Sequence, residues 1–359
     1  MRPRRSERLV RPRRGAVPDG GAEEDRISGL PTDLLLQILL RLRCAAAAAR
    51  AGLVSRRLRG LWALLPEIYV SVGNSGGALD AFLGRLESAR AASADAPPLA
   101  LLHVQALCDR LSTRVLASWL RRAARLAPEE LKLSVTGSYS SSWPSGRSKI
   151  ELPCSTRTAS IELELRKFNR DLRLEPPRSG DFLALERLSL KGFHFDPAAL
   201  LPRCPSLRAL RIGIGPSAQT PAPRSIHSPS LEELVVVVVA ENAHETGLDI
   251  VAPELKRMSL AANVLDLKVS ASNLEKLVLD CSRNFGPVEL GNMGQRPEVM
   301  LSGISLWGQN MFQTLAVGYG VNSFVQQLPR LHRLLINIAL DLLAEKLDIT
   351  DDGIVSATL

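Results

Sequence analysis

The chain has 359 residues, 45% of them apolar and only 4% aromatic, with a formal net charge of +8; that is room for two domains, or for a small module and an extended array, with a mainly aliphatic core. The charge does not argue for nucleic-acid binding: seven arginines and one acid lie in residues 1–14, leaving 38 of the 45 lysines and arginines against 36 of the 37 acids, so the rest of the chain is almost neutral. No apolar run approaches the roughly 18–20 residues that span a bilayer, and no apolar stretch follows the arginine-rich start to make a secretory signal.

Residues 1–24 carry Pro, Gly, Arg and Glu without periodicity and read as a disordered, solvated arm. In residues 25–65, Pro31 suits the first position of a helix and Asp33 its first turn, where the helix dipole favours negative charge. Leu34, Ile38 and Leu42 recur every four residues, with Leu35 and Leu39 widening the stripe. An alanine run, Ala45–Ala51 with Arg50 inside it, leads into a basic helix expected to end at Trp62, whose apolar side is Leu53, Val54, Leu58, Leu61 and Trp62. About forty residues are near the lower limit for an independent core, so this hairpin is expected to bury its apolar surface against another protein or the next domain.

Residues 66–150 read as a lead-in of alternating helices and strands. A spacer at Ser71–Gly77 precedes a helix at Ala78–Arg90, a strand at Leu99–Val104, a helix at Thr113–Leu126 and a strand at Leu131–Val135. Helix and strand in turn predict parallel strands joined by crossovers.

From about residue 151 to 340 the chain repeats itself. The unit Pro-x-Leu-x-x-Leu-x-Leu, or close to it, has leading leucines at Leu185, Leu207, Leu231, Leu255 and Leu274, spaced 22, 24, 24 and 19 apart; an earlier unit centres on Ile161–Leu165, and Leu328–Ile338 has the lead of another. These periods are those of leucine-rich repeats. Leucines two apart in a strand share a face, so a single unit cannot bury them and a stack of units can. The predicted fold is therefore α/β: a short helical module, then an irregular solenoid with a concave parallel sheet. Val235–Ala240, six apolar residues in a row, reads as a fully buried strand. Residues 341–359 fit no unit.

On this register the outward positions of the concave face are Arg187, Ser189, Lys191, Arg211, Glu233, Arg257, Ser259, Lys276 and Asp280. Five bases against two acids is a mild basic bias that suits an acidic or phosphorylated partner segment, although polar residues on a sheet are more often plain solvated positions.

No nucleophile elbow, phosphate-binding glycine loop or H-E-x-x-H occurs, and the five histidines stand apart from one another and from the cysteines. No catalytic residue, metal ligand or cofactor is expected. Five scattered cysteines without a C-x-x-C pair read as reduced thiols of an intracellular protein, in the cytoplasm or nucleus.

The ordered series Leu30, Pro31, Asp33, Leu34, Ile38, Leu39, Leu42, then Val54, Ser55, Arg56, then Leu61 and Trp62 resembles the F-box. Leu58 stands where that pattern usually has an aromatic residue. Together with the runs at Pro153–Arg166, Pro202–Leu210, Ser228–Leu234 and Ala252–Leu260, residues 25–285 resemble plant F-box/leucine-rich-repeat proteins, particularly the large grass family. The resemblance implies a non-catalytic substrate receptor of an SCF-type E3 ubiquitin ligase. A Skp-family adaptor would dock on Leu30, Pro31, Leu34, Ile38, Leu39, Leu42, Leu53, Val54, Ser55, Arg56, Leu58 and Trp62, and an unknown target protein would dock on the solenoid. Neither a membrane nor a nucleic acid is expected as a partner. The alternative is an interaction scaffold with a degenerate F-box. Related proteins often carry a further C-terminal domain, which this sequence is expected to lack.

Overall fold

The computed structural model describes residues 29–73, 76–93, 96–108, 111–137, 149–167, 172–214, 225–238, 246–261, 264–280, 288–291, 298–305, 333–339 and 354–357. The arginine-rich arm, Cys281, His244, His332 and most of the C-terminal tail lie outside them. Two short helices, α1 (Thr32–Arg41) and α2 (Ala45–Val54), are followed by 3-10 turns at Arg56–Leu58 and Leu61–Leu64. Next come β1 (Glu67–Val72), α3 (Gly76–Ala91), β2 (Leu101–Leu107), α4 (Thr113–Leu126) and β3 (Glu130–Thr136). Strands then dominate: β4 (Lys149–Glu151), β5 (Ser160–Arg166), β6 (Leu172–Glu175), β7 (Arg187–Lys191), β8 (Phe193–His194), the single turn α5 (Pro197–Leu200), β9 (Ala209–Ile214), β10 (Ser225–His227), β11 (Glu233–Val238) and β12 (Thr246–Val251). The series closes with β13 (Arg257–Ala261), β14 (Val264–Ser270), β15 (Lys276–Asp280), β16 (Val288–Leu290), β17 (Glu298–Ser305), β18 (Arg333–Ala339) and β19 (Ile354–Ala357).

Among the described residues, twelve strands make one long sheet in the order β1-β2-β3-β5-β7-β9-β11-β13-β15-β17-β18-β19. Every pairing in it is parallel except β18 with β19. The intervening strands form two small parallel sheets, β4-β6-β8 and β10-β12-β14-β16. Each repeat thus contributes one strand to the long sheet and one to a small sheet, and in the first two repeats α3 and α4 take the place of the second strand.

One backbone device starts most of the repeats; between β2 and β3 the two N–H groups of Glu129 and Glu130 go instead to separate carbonyls, those of Leu99 and Ala100. The Ala159 carbonyl accepts the N–H groups of Glu186 and Arg187 (2.8 and 3.0 Å), the Glu186 carbonyl those of Arg208 and Ala209 (2.8 and 2.9 Å), and the Arg208 carbonyl those of Glu232 and Glu233 (2.8 and 2.9 Å). Glu232 and Lys256 accept in the same way from the next repeats, and Pro66 and Glu129 do so in the lead-in. A carbonyl has two lone pairs, and sharing them between consecutive amides aligns each strand with its predecessor. The core follows from that alignment. Leu185, Leu207, Leu231 and Leu255 are fully buried, as are Leu188, Leu210 and Leu234 in the strands that follow the first three and Leu277 in β15.

Helices α3 and α4 pack through Leu79, Leu83 and Leu86 against Leu116, Trp119, Leu120 and Ala123. Their polar edge is cross-linked: Asp80 accepts from Ser118 (2.6 Å) and Arg122 (3.1 Å), and Glu87 accepts from Arg122 and Arg125. The Ser118 hydroxyl, with Arg122 behind it, holds the Asp80 carboxyl below the usual range against the opposing effect of burial.

Four expectations need correction. The basic helix does not run to Trp62: α2 ends at Val54, Ser55 is extended, and Gly60 at φ 84° separates two short turns, a conformation costly for any residue with a Cβ. The segment read as a spacer, Ser71–Gly77, holds the last two residues of a strand that was not expected, β1, whose Ile68 and Val70 are buried, and the first two residues of α3. The small sheets were not expected at all. Nor is the run at Val235–Ala240 a fully buried strand: in β11, Val236 and Val238 are buried while Val235 is half-buried and Val237 is 36% exposed. The predicted spans at Thr113–Leu126 and Leu131–Val135 match α4 and β3 closely.

The packing predicts a contrast between two leucines. Leu210→Ala, in the stacked core, should cost about 2–5 kcal/mol in urea unfolding. Leu183→Ala, at a turn position that is 62% exposed, should stay within about 0.5 kcal/mol of wild type. Equal effects would contradict the assignment of faces.

Candidate functional site: a helical hairpin docked on the solenoid

Helix α1 has two apolar sides with different fates. The Pro31 carbonyl accepts from Leu34 and Leu35 (both 3.1 Å), which starts the helix one residue after the proline, and Asp33 lies exposed in its first turn. Leu35 and Leu39 are 1% and 2% exposed, packed into the core shared with Ala45, Ala48, Leu65 and Ile68. Leu34, Ile38 and Leu42, also four residues apart, are 43%, 44% and 45% exposed. On α2, Leu53 is 83% exposed. Side chains at i, i+4 and i+8 lie above one another on a helix, so the first three form a continuous aliphatic ridge facing solvent.

The residues expected to dock a partner therefore separate. Pro31, Leu34, Ile38, Leu42, Leu53 and Arg56 are exposed, and Leu30 and Ser55 are half-buried. Leu39 and Leu58 are inside the chain's own core, at 2% and 8% exposure. Val54 lies in α2, its side chain outside the described residues. Trp62 is half-buried, its ring 5.4 Å from that of Phe82 on α3. The missing aromatic at Leu58 is thus a matter of how the hairpin packs on its own solenoid.

That packing has a polar clasp. At the end of α3 the Arg90 guanidinium donates to the carbonyls of Ala63 (2.6 Å), Leu65 (3.2 Å) and Pro97, tying the hairpin's last turn to α3 and to the loop between α3 and β2. Burial, aided by the nearby Arg157 charge, pushes the Arg90 pKa down, but a guanidinium stays charged in proteins. At the α1–α2 connection, Arg43 lies over the Tyr69 ring of β1, 5.8 Å from its centroid. Sequence reasoning missed both contacts, since nothing in the spacing of Arg43 or Arg90 announces a partner.

On the solvent side of the long sheet the predicted alternation is present. Arg187, Lys191, Arg211 and Arg257 are exposed, and Ser189, Glu233, Ser259, Lys276 and Asp280 are half-buried. The expected basic bias is largely neutralised across strands. Glu233 accepts from Arg211 (2.9 Å) and Arg257 (3.1 Å), and Lys191 faces Glu162 (3.9 Å) and Glu164 (3.6 Å), acids of β5 that the sequence reading left off the face. Burial pushes the Glu233 carboxyl up, but the two guanidinium bonds outweigh it and leave the group below its ordinary value.

Among the described residues no three His, Cys, Asp or Glu side chains are grouped so as to hold a metal ion, and no helix is long and apolar enough to cross a membrane. Cys44, Cys108, Cys154 and Cys204 form no disulfide among the described residues, and burial pushes Cys204 up to about 12.

No protein-family model matches the chain, and no solved structure matches it. Over 256 residues it is 28% identical to an F-box/FBD/LRR-repeat protein of Arabidopsis thaliana, an alignment covering 68% of this chain and 55% of that protein. The chain spans about half the length of the curated relative it matches. The comparison supports a distant likeness to plant F-box/leucine-rich-repeat proteins, and the described repeats are consistent with it.

Two outcomes are expected. Arg90→Met leaves three carbonyls without their charged donor and should lower stability by about 1.5–3 kcal/mol; hydrogen exchange should quicken at residues 61–66 and stay slow at 209–214, and uniform exchange would contradict the clasp. Glu233 has a folded pKa below its unfolded one, so its ion pairs add stability above the ordinary carboxylate value, and that stability is lost as pH falls through the lowered folded value. The melting difference between wild type and Glu233→Gln should therefore be full at pH 7 and vanish in acid; a difference that persists unchanged in acid would contradict it.

Proposed function

We propose that the chain is a substrate-recognition subunit of an SCF-type cullin–RING E3 ubiquitin ligase, acting inside the cell in the cytoplasm or nucleus. In this reading the hairpin binds the Skp-family adaptor and the repeats bind a protein to be ubiquitinated. The observation that carries it is the aliphatic ridge Leu34, Ile38 and Leu42, left in solvent on a helix whose neighbouring leucines are sealed. Folding of this chain alone does not require that ridge to be apolar. Burying one such side chain is worth about 1.5–3 kcal/mol, so three of them with Leu53 would make a substantial core for a partner interface. Their order with Leu30, Pro31, Ser55 and Arg56 is that of the F-box pattern, and the distant Arabidopsis relative bears F-box and leucine-rich repeats in its name.

The chemistry of ubiquitin transfer would belong to other subunits. This chain would raise the target's effective concentration at the ligase. Because Arg90, Trp62 and Arg43 fasten the hairpin to the solenoid, the target would be held at a set orientation rather than on a loose tether.

The test is Leu34→Asp with Ile38→Asp in the full chain, co-expressed with a Skp-family adaptor. The double variant should lose adaptor co-purification at least tenfold while its thermal melt stays near wild type, since both positions face solvent. Undiminished co-purification would refute the docking ridge. A wild-type chain that forms no complex would favour the scaffold reading.

A further inference from the structure

The solvent side of the long sheet is not uniform along its length. In register, one row runs Lys132, Glu162, Ser189, Arg211, Val235, Ser259, Val278, and the next runs Ser134, Glu164, Lys191, Gly213, Val237, Ala261. From β3 to β7 these rows carry charges that pair with one another. From β9 to β13 they carry glycine, alanine, serine and valine, with Arg211 the single charge, and β15 adds Val278 and, two residues on along the same face, the half-buried Asp280. Gly213 has no side chain, and a Cβ there would come within 3.0 Å of the Lys191 stem, so the lysine lies at the border of the aliphatic part. Solvent-facing strand positions ordinarily hold polar residues, and three valines there, one of them 36% exposed, do nothing for the core beneath.

The row along one end of that patch is cationic. It reads Arg187, Ala209, Glu233, Arg257, Lys276, Glu298 in register. Arg211 leans into it to share Glu233 with Arg257, giving four bases against two acids. Glu233 is therefore already answered twice, while Lys276 stands in register between Arg257 and Glu298.

We propose that the part of the long sheet between β9 and β15 binds an extended segment of another protein, with aliphatic side chains on Val235, Val237 and Val278 and an acidic residue against Arg257 and Lys276. This deepens the target-binding half of the proposed function and rests on it. The segment is short: crossing four strands at about 4.8 Å spacing covers about 14 Å, the reach of four to five extended residues. Shape comes from the small side chains, which leave the sheet backbone approachable, and polarity from the cationic row on one side only.

The test uses the full chain and immobilised eight-residue peptide pools of three compositions: aliphatic–acidic, aliphatic–basic and glycine–serine. Wild type should retain the aliphatic–acidic pool at least tenfold over the other two. Val237→Asp should lose that retention tenfold or more, and Arg257→Gln with Lys276→Gln should keep aliphatic binding but lose the preference for acid. No retention of any pool, equal retention of all three, or an unchanged Val237→Asp variant would overturn the proposal. So would a dimer in sedimentation that Val237→Asp dissolves, which would assign the patch to a second copy of this chain. Adaptor co-purification of the wild-type chain is read in parallel: adaptor binding without peptide preference refutes this patch alone, and peptide preference without adaptor binding refutes the ligase reading alone.

Discussion

At most repeat boundaries one carbonyl accepts two successive N–H groups from the repeat that follows, and the rest of the structure depends on that alignment. Because Ala159, Glu186, Arg208, Glu232 and Lys256 all do this, every strand of the repeats enters the long sheet in the same phase. A strand has a period of two, so a shift by one residue would turn every leucine outward. Held in phase, Leu188, Leu210 and Leu234 stack behind the sheet while Ser189, Arg211 and Val235 stand in register in front of it. The aliphatic core and the outward face are two consequences of a single backbone alignment. Where the turn between strands demands it, the side chain is given up: Gly192 sits at φ 76°, and a Cβ there would lie 2.3 Å from the Leu165 carbonyl oxygen.

A stack of this kind needs a cap, since its first strand would otherwise expose a row of unpaired amides and an open core. Among the described residues β1 pairs only with β2. The hairpin packs against it through Leu39, Ala45 and Ala48, with Arg43 laid on Tyr69. The same two helices thus close the solenoid with one side and leave an aliphatic ridge on the other. Arg90 explains how the arrangement is kept firm with so few residues, since one guanidinium satisfies carbonyls from the hairpin and from the loop before β2.

Much of this was legible in the sequence, for identifiable reasons. The repeats announced themselves because leucines spaced by three and two residues recur at near-constant intervals, and Leu185 through Leu274 proved to be the buried series. Helix α4 was readable from Val115, Leu116, Trp119, Leu120 and Ala123. The second strands were not readable: Lys149–Glu151 and Phe193–His194 are too short for alternation to register, and their order comes from stacking on neighbours. β1 was hidden by the glycines beside it. Val235–Val238 misled because an unbroken apolar run looks the same whether both faces are covered or one is left partly in solvent. In the hairpin, sequence gave the pattern of apolar positions but not their division between the chain's own core, which takes Leu39 and Leu58, and the solvent, which receives Leu34, Ile38 and Leu42.

The central claim is that this leftover ridge is completed by a foreign subunit. Hydrogen–deuterium exchange on the intact chain, alone and with a purified Skp-family adaptor, addresses it directly. Slower exchange confined to α1 and the neighbouring part of α2, with the amides of β7 through β15 unchanged, is the result expected. Unchanged exchange in α1 at saturating adaptor, or protection that falls instead on the long sheet, would contradict it.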